Sequence, residues 1–548
     1  MATEALESAT IHPDIDAPVR RATFGDQLRR NARRHPDKLA VVALDSPAHD
    51  RRELTYRQLD ERANQIAHAL ADHGLETGDV VAIMGRNSPE LITTFWACAK
   101  LGAAVTGLNY TFLPGELHYQ LSHSGASVLV CEDSLTPTID AIAEDEELDP
   151  LDNLAVRISL DTDTDEAGEE WLRWSRLLAV SSDVSEPEPS GDVSEHTIGL
   201  IPYTSGTEAL PKAVLIPQRN YLVGMMPAFV TSVGLVEQDV WYYLLPMHTI
   251  AGLGLQIALI SLGNTIVLPY STDPQRALDS WVAESVTCSA QTPTFFLQMI
   301  KLEDFVSAEL SQLRRMVTYG GTMPRVMFES FAAVAPNMEW VTFWSQSELA
   351  QTPTVGRFSS LEDIPRQDPS WIGQASSTLE IRVVDDDGND ATHGELLCRS
   401  PGVMRGYLND PEKTAEVLRD GWLHTGDIVE IDADRNLFFR DRRKDMIKSG
   451  GLNVSSVEVE RAIYTHDGVM EVAVVGLDDE YWGQAVTAFV TARPGEDFDG
   501  EEIRAWCRDR LAPFKVPKTV NVVDSLPKDS QGKTLKRELR GTSAPADA

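Results

Sequence analysis

The sequence predicts an α/β protein with more than one core, and three observations support that expectation. The chain has 548 residues, more than one hydrophobic core usually serves. Apolar residues make up 42% of it, ample for several interiors. Short apolar runs of strand length alternate with stretches of helical period, as in an open sheet with crossover helices.

The elements follow in order. Residues 1–22 are acidic and irregular and read as a flexible arm. From Thr55 to His73, Leu59, Ala63, Ile66, Ala67 and Leu70 fall on one helical face, and Gly74 stops the helix. Val80–Met84 reads as a buried strand. Ser88-Pro89 opens another helix, with Ser as cap and Pro in the first turn, and with Leu91, Ile92, Phe95, Trp96 and Ala99 as its inner face. Ala103–Val105 and Ser127–Val130 read as strands. Residues 142–195 are rich in acidic runs and read as solvated loops.

Between Trp241 and Thr272 there is no Asp, Glu, Lys or Arg. That length could span a bilayer, but Pro246, Gly252, Gly254, Gly263-Asn264 and Pro269 divide it. The expectation is no membrane span: a buried helix from about His248 to Ser261, a turn, and a strand at Thr265–Leu268. Residues from about 445 onward read as a small α/β unit. In it Ser455 or Ser456 caps a helix, Met470–Val475 and Ala485–Ala492 are strands, and Glu501–Arg510 is a helix.

Charge narrows the function. Lys and Arg number 48 against 84 Asp and Glu, a formal net charge of −36. Such a surface repels nucleic acid, so nucleic acid is excluded as a partner and any phosphate site must be locally basic. The same excess is that of a surface adapted to very high salt. The protein is expected to gain thermal stability in molar KCl. A lower melting temperature there than in dilute buffer would contradict this. Five dispersed cysteines without a CxxC pair argue for a reducing, cytoplasmic compartment and against a disulfide frame or zinc site.

One stretch stands out. Tyr203–Val214 reads YTSGTEALPKAV. Thr204, Ser205 and Thr207 surround Gly206, and Lys212 follows; backbone amides, hydroxyls and one ammonium can cradle a phosphate. It follows a predicted strand at Ile198–Pro202, the right context for such a loop. Gln531-Gly532-Lys533-Thr534 is not a Walker A loop, because position 527 is proline where that motif needs glycine.

YTSGTEALPKAV resembles the phosphate loop of the adenylate-forming (AMP-binding) superfamily, and further blocks follow in that family's order over roughly residues 24–539. PMHTIAGLG (246–254), YGGTMP (319–324), WSQSELAQT (344–352), GELLCRSPGVMRGYLN (394–409), WLHTGDIVEID (422–432), FFRDRRKDMIKSGGLNVSSVEVE (438–460) and PKDSQGKTLKREL (527–539) each resemble a family block. Ala209, Ala213 and Ser345 stand where the family usually has glycine. The chain is identified as a member of the acyl-CoA synthetase branch. The resemblance implies a large multi-sheet N-terminal adenylation domain (1–441) and a small mobile α+β C-terminal domain (442–548), hinged near Lys444.

What the resemblance implies for the site is specific. Lys533 is the catalytic lysine, and His248 lies near the carboxylate and ATP. Thr204, Ser205, Gly206, Thr207, Glu208 and Lys212 grip phosphate. Gly320, Gly321 and Thr322 face adenine, and Trp344 stacks on it. Ser347 faces phosphate and Glu348 holds Mg²⁺. Asp427 sits on a turn and binds ribose, while Arg442 reaches ribose or phosphate. Gly450 and Gly451 shape the CoA tunnel. The implied reaction joins a carboxylic acid to CoA through an acyl-adenylate, using ATP and Mg²⁺. The uncharged stretch 241–272 favours an apolar, fatty acid. An aryl acid or a non-catalytic nucleotide-binding relative is the alternative, and an oligomer is possible.

Overall fold

The computed structural model describes residues 21–46, 49–160, 168–181, 183–204, 211–318, 325–450, 452–479, 481–493, 495–528 and 534–541. Helix α1 (Tyr56–Asp72) begins where Thr55 accepts from the Gln58 amide, and it buries the predicted face. Strand β1 (Val80–Met84) follows, then α2 (Pro89–Leu101), capped by the Ser88 hydroxyl with Pro at its start and ended by left-handed Gly102. The single inner face expected of α2 is corrected: all its residues are buried. Its charged residues go in paired, Glu90 with Arg52 at 2.6 Å and Lys100 with Asp60 and Glu186 at 2.8 and 2.9 Å. A buried charge is tolerable only with such a partner.

Strands β2 (Ala104–Leu108), β3 (Val128–Cys131) and β4 (Ile198–Leu200) join β1 in parallel. Next, β5 (Lys212–Pro217) runs antiparallel to β4. The expectation of solvated loops across 142–195 is only partly met. Val156–Ser159 and Leu172–Arg173 extend this sheet beyond β3, and Trp171 and Trp174 are buried. Few apolar residues suffice where a strand needs only to complete an existing edge, so the acidic composition hid them.

The second sheet gathers β6 (Val240–Tyr242), β7 (Thr265–Pro269), β8 (Cys288–Gln291), β9 (Arg315–Thr318) and β10 (Glu339–Trp344) in parallel, in the order β7-β6-β8-β9-β10. Between β6 and β7 lies α3 (Ile250–Leu262), capped by Thr249 and ended by Gly263. It is apolar and buried nearly throughout. At ~1.5 Å per residue it is far shorter than a ~30 Å bilayer core; among the described residues no helix is long and apolar enough to cross a membrane. Beyond β10 the sheet turns antiparallel and includes β11 (Trp422–Ile431) and β12 (Leu437–Arg442), paired to each other.

The third sheet belongs to the C-terminal part. Ser455 caps α4 (Ser456–Tyr464). Strands β13 (Val469–Asp479) and β14 (Gly483–Ala492) pair along their whole length, and α4 packs on β13 through Val459 and Ile463. The short helix α5 (Lys536–Arg540) anchors Leu539 in a second small cluster against β13 and β14. The α4 N-terminus meets β12: the Ser456 amide donates to Asp441 at 2.6 Å, and Arg461 donates to the Phe439 carbonyl at 3.1 Å.

Candidate active site

Three of the candidate segments follow the ends of parallel strands. Ligands in open α/β sheets bind beyond the carboxyl ends of strands, because loops diverge there and leave a crevice. Trp344 closes β10, and Ser347 and Glu348 form the turn after it. His248 follows β6. The 319–324 block, with Gly320, Gly321 and Thr322, follows β9 but lies outside the described residues, as do Ser205, Gly206, Thr207, Glu208, Gly451 and Lys533.

The ends of the phosphate-loop segment are pinned together. Thr204 pairs with Lys212, and Tyr203 with Ala213, in antiparallel register. Lys212 Nζ stands 5.5 Å from the centre of the Tyr407 ring, and the Tyr407 hydroxyl donates to Glu348 Oε1 at 2.8 Å. Three distant segments therefore meet as ammonium, phenol and carboxylate. Ser347 and Glu348 are half-buried, and the Glu348 carbonyl accepts from the Met404 amide at 2.8 Å, which holds the turn in place.

Asp427 is 1% exposed, and its carboxylate meets three side-chain partners. Trp344 Nε1 and Gln346 Nε2 each donate to Oδ2 at 2.9 Å, and Arg442 Nε stands 3.2 Å from Oδ1. The expected turn is corrected. Asp427 lies inside β11, beside a register shift against the strand His393–Arg399, and Gly426 takes φ 69° there. A bulge in a strand produces the same Gly-Asp signature as a turn. Trp344 was expected as an adenine-stacking face. Its indole is largely buried among Leu349, Leu379 and Leu396, with its N–H spent on Asp427.

His248 is 8% exposed, and the Tyr110 ring meets it edge-on at 5.5 Å. Gly107 is glycine for a steric reason: a Cβ there would overlap the His248 backbone. Burial lowers the imidazole pKa to about 4, so His248 is neutral at physiological pH. Its folded value lies below the unfolded ~6.5. The unfolded chain therefore binds more protons between these values, and the fold loses up to about 3 kcal/mol as pH falls from about 6.5 to about 4. Urea midpoints at about pH 7 and about pH 4.5 should shift less in His248→Phe than in the unaltered protein.

Lys444 follows β12 and is more than a third exposed. Its ammonium is still held below the usual lysine value, first by partial loss of hydration and then by the like charges of Arg442 and Lys212. Gly450 takes φ 59°, with its amide on the Trp482 carbonyl at 2.8 Å. Around the Lys533 segment, Lys528 pairs with Thr534, Lys536 reaches Glu460 and Ser456 at 2.7 Å, and Arg540 reaches Asp445 at 2.6 Å.

Sequence reasoning missed Gln346 and Tyr407. Gln346 sits between two flagged residues, which was the available signal. Tyr407 lies in a block read as mainly structural, and nothing in its own neighbourhood points to Glu348. Among the described residues no cluster of three metal-ligating side chains occurs. Glu348, with one oxygen held by Tyr407, suits Mg²⁺, which needs few protein ligands when phosphates and water supply the rest.

The chain is similar to known proteins over nearly its whole length. Residues 28–408 match the family model described as AMP-binding enzyme, and residues 458–533 match the AMP-binding enzyme C-terminal domain. A feruloyl-CoA synthase from Amycolatopsis sp is 32% identical over 95% of this chain and 99% of its own. The long-chain-fatty-acid–CoA ligase FadD13 of Mycobacterium tuberculosis is 32% identical over 94% of this chain and 98% of its own. The crystal structure of the anthranilate CoA ligase AuaEII with anthranoyl-AMP is similar at TM-score 0.82 and 26% identity, over 95% of this chain and 97% of that one. The two matched models in the expected order, and relatives aligned from end to end, show that this chain belongs to the AMP-binding enzyme family, in its branch of acyl- and aryl-acid CoA ligases.

Proposed function

We propose that this enzyme activates an apolar-bodied carboxylic acid with ATP and transfers the acyl group to CoA, releasing pyrophosphate and AMP. The observation that supports this reading best is the meeting of Lys212, Tyr407 and Glu348 two residues along the chain from Gln346, which belongs to the Trp344–Gln346–Asp427–Arg442 group.

A carboxylate is a weak nucleophile towards a phosphoester, so positioning and charge neutralisation dominate. The acid approaches beside neutral His248, which adds no competing charge. Its carboxylate attacks the α-phosphorus, the bond to the pyrophosphate oxygen breaks, and pyrophosphate leaves towards residues 204–212. Lys533 neutralises charge on the α-phosphate. Glu348 would hold Mg²⁺, which would supply further neutralisation of the phosphates. Asp427 has about four lone-pair positions, and three are taken. The fourth receives one ribose hydroxyl, and withdrawal of Arg442 opens a place for another.

In the second half-reaction the CoA thiol attacks the acyl carbon and AMP leaves. The chain divides at 441/442, and rotation near Lys444 exchanges Lys533 for the Gly450-Gly451 loop. Hinge residues absorb such φ/ψ changes. A cytoplasmic setting is supported by five free, buried cysteines. The uncharged α3 favours an apolar acid body, fatty or aryl; relatives named for feruloyl and long-chain-fatty acids bracket that range. The test is pyrophosphate release with ATP and a panel of acids, followed by CoA-ester formation. Acid-dependent release is expected, and its absence across fatty and aryl acids would refute the reading.

A further inference from the structure

The helix Pro114–Ser124 lies between β2 and β3, with Pro114 in its first turn and left-handed Gly125 ending it. Tyr119 and His123 stand four residues apart, so one helical face presents both. Their rings stack, with centres 5.2 Å apart and planes at 21°. Tyr203, which opens the phosphate-loop segment, sets its ring edge-on to both, at 6.3 Å from Tyr119 and 5.9 Å from His123. Rings favour such offset and edge-on geometries, so the three orient one another.

The same face reaches both ends of the phosphate-loop segment. The Tyr119 hydroxyl donates to the Pro211 carbonyl at 3.2 Å. His123 Nδ1 lies 2.9 Å from the Tyr203 hydroxyl, which donates to the Gln120 carbonyl at 3.2 Å. Pro211 has no N–H, so its carbonyl is the one backbone group by which a neighbour can hold it. Tyr203 and Pro211 each immediately precede a candidate phosphate ligand, Thr204 and Lys212. Two residue pairs tie these ends to each other. The helix ties both to the interior of the first sheet, where its own Leu117 and Leu121 are buried beside Met84, Leu108 and Leu129.

From this we infer that Tyr119 and His123 are positioning residues, which hold Lys212 and Thr204 at the spacing that meets the outer phosphates of ATP. Each acts through the residue beside its partner: Tyr119 through Pro211 on Lys212, His123 through Tyr203 on Thr204. The inference rests on the reading of residues 204–212 as the phosphate grip, and Lys212→Ala tests that reading in the same titrations.

The probe is ATP with Mg²⁺, titrated calorimetrically into the full-length protein without acid or CoA. Tyr119→Phe and His123→Phe should each raise Kd about fivefold, and His123→Asn, which keeps a polar group near the place of Nδ1, less than about twofold. Lys212→Ala should raise it about 30-fold. Added to Lys212→Ala, Tyr119→Phe should cost less than about twofold more, because its effect runs through Lys212. AMP lacks the outer phosphates, so its Kd should move less than about twofold in Tyr119→Phe and His123→Phe, whereas a merely structural role would weaken both nucleotides alike. Equal weakening of ATP and AMP would overturn the inference, as would full additivity of Tyr119→Phe and Lys212→Ala. So would an unmoved Kd for ATP in Tyr119→Phe and His123→Phe beside a raised one in Lys212→Ala. An unmoved Kd in Lys212→Ala would refute the phosphate grip itself, and the positioning with it.

Discussion

Lys533→Ala is expected to slow acyl-adenylate formation by about 10²–10³-fold, while thioester formation from supplied acyl-adenylate and CoA stays within about threefold. Attack on the α-phosphorus builds charge on oxygens that already carry it, and removing one positioned donor from such a site typically costs that much. The second step breaks a mixed anhydride and expels AMP, so it asks little of an ammonium on the α-phosphate. The two half-reactions are separated by following pyrophosphate in the first and CoA ester in the second. An equal fall in both would refute the exchange of Lys533 for the Gly450-Gly451 loop around Lys444.

Asp427→Ala carries the second large effect, and it acts on both catalysis and fold. Its carboxylate is the common acceptor for Trp344, Gln346 and Arg442. Removal takes away the charged acceptor proposed above for a ribose hydroxyl, and kcat/KM for ATP should fall about 10²-fold. It also strands the buried Trp344 N–H and takes away the Arg442 guanidinium's partner, while Gln346 keeps the Thr425 carbonyl, so the protein should lose about 2 kcal/mol to urea. Asp427→Asn separates the two effects. Its carbonyl still accepts from one donor, so stability recovers in part while ATP use stays low. A full recovery of ATP use in Asn would show that charge at this position is dispensable.

Much of the fold was open to sequence reasoning for reasons specific to each element. The strand at Val80–Met84, the Thr55 and Ser88 caps, and the buried helix within 241–272 declare themselves through local chemistry: a continuous apolar run, a hydroxyl before a helical face, glycines and prolines at the breaks. The strands hidden in the acidic 142–195 region do not, because an edge strand borrows its stability from a neighbour that is far away in sequence. The burial of α2 on all sides was hidden likewise, since its Glu90 and Lys100 look like surface residues until Arg52, Asp60 and Glu186 are brought to them.

The site divides along the same line. Sequence alone determined the family and the order of its blocks, and singled out Thr204, Lys212, His248, Trp344, Glu348, Asp427 and Arg442 as a proposed set, because each block is a short contiguous pattern. Only the tertiary structure decided what those residues touch. It turned Trp344 from a free aromatic face into a donor to Asp427 and brought Tyr407 onto Glu348. The physical reason is that a hydrogen bond or a steric overlap depends on distances of a few ångströms between segments a hundred residues apart, and no local pattern encodes those distances.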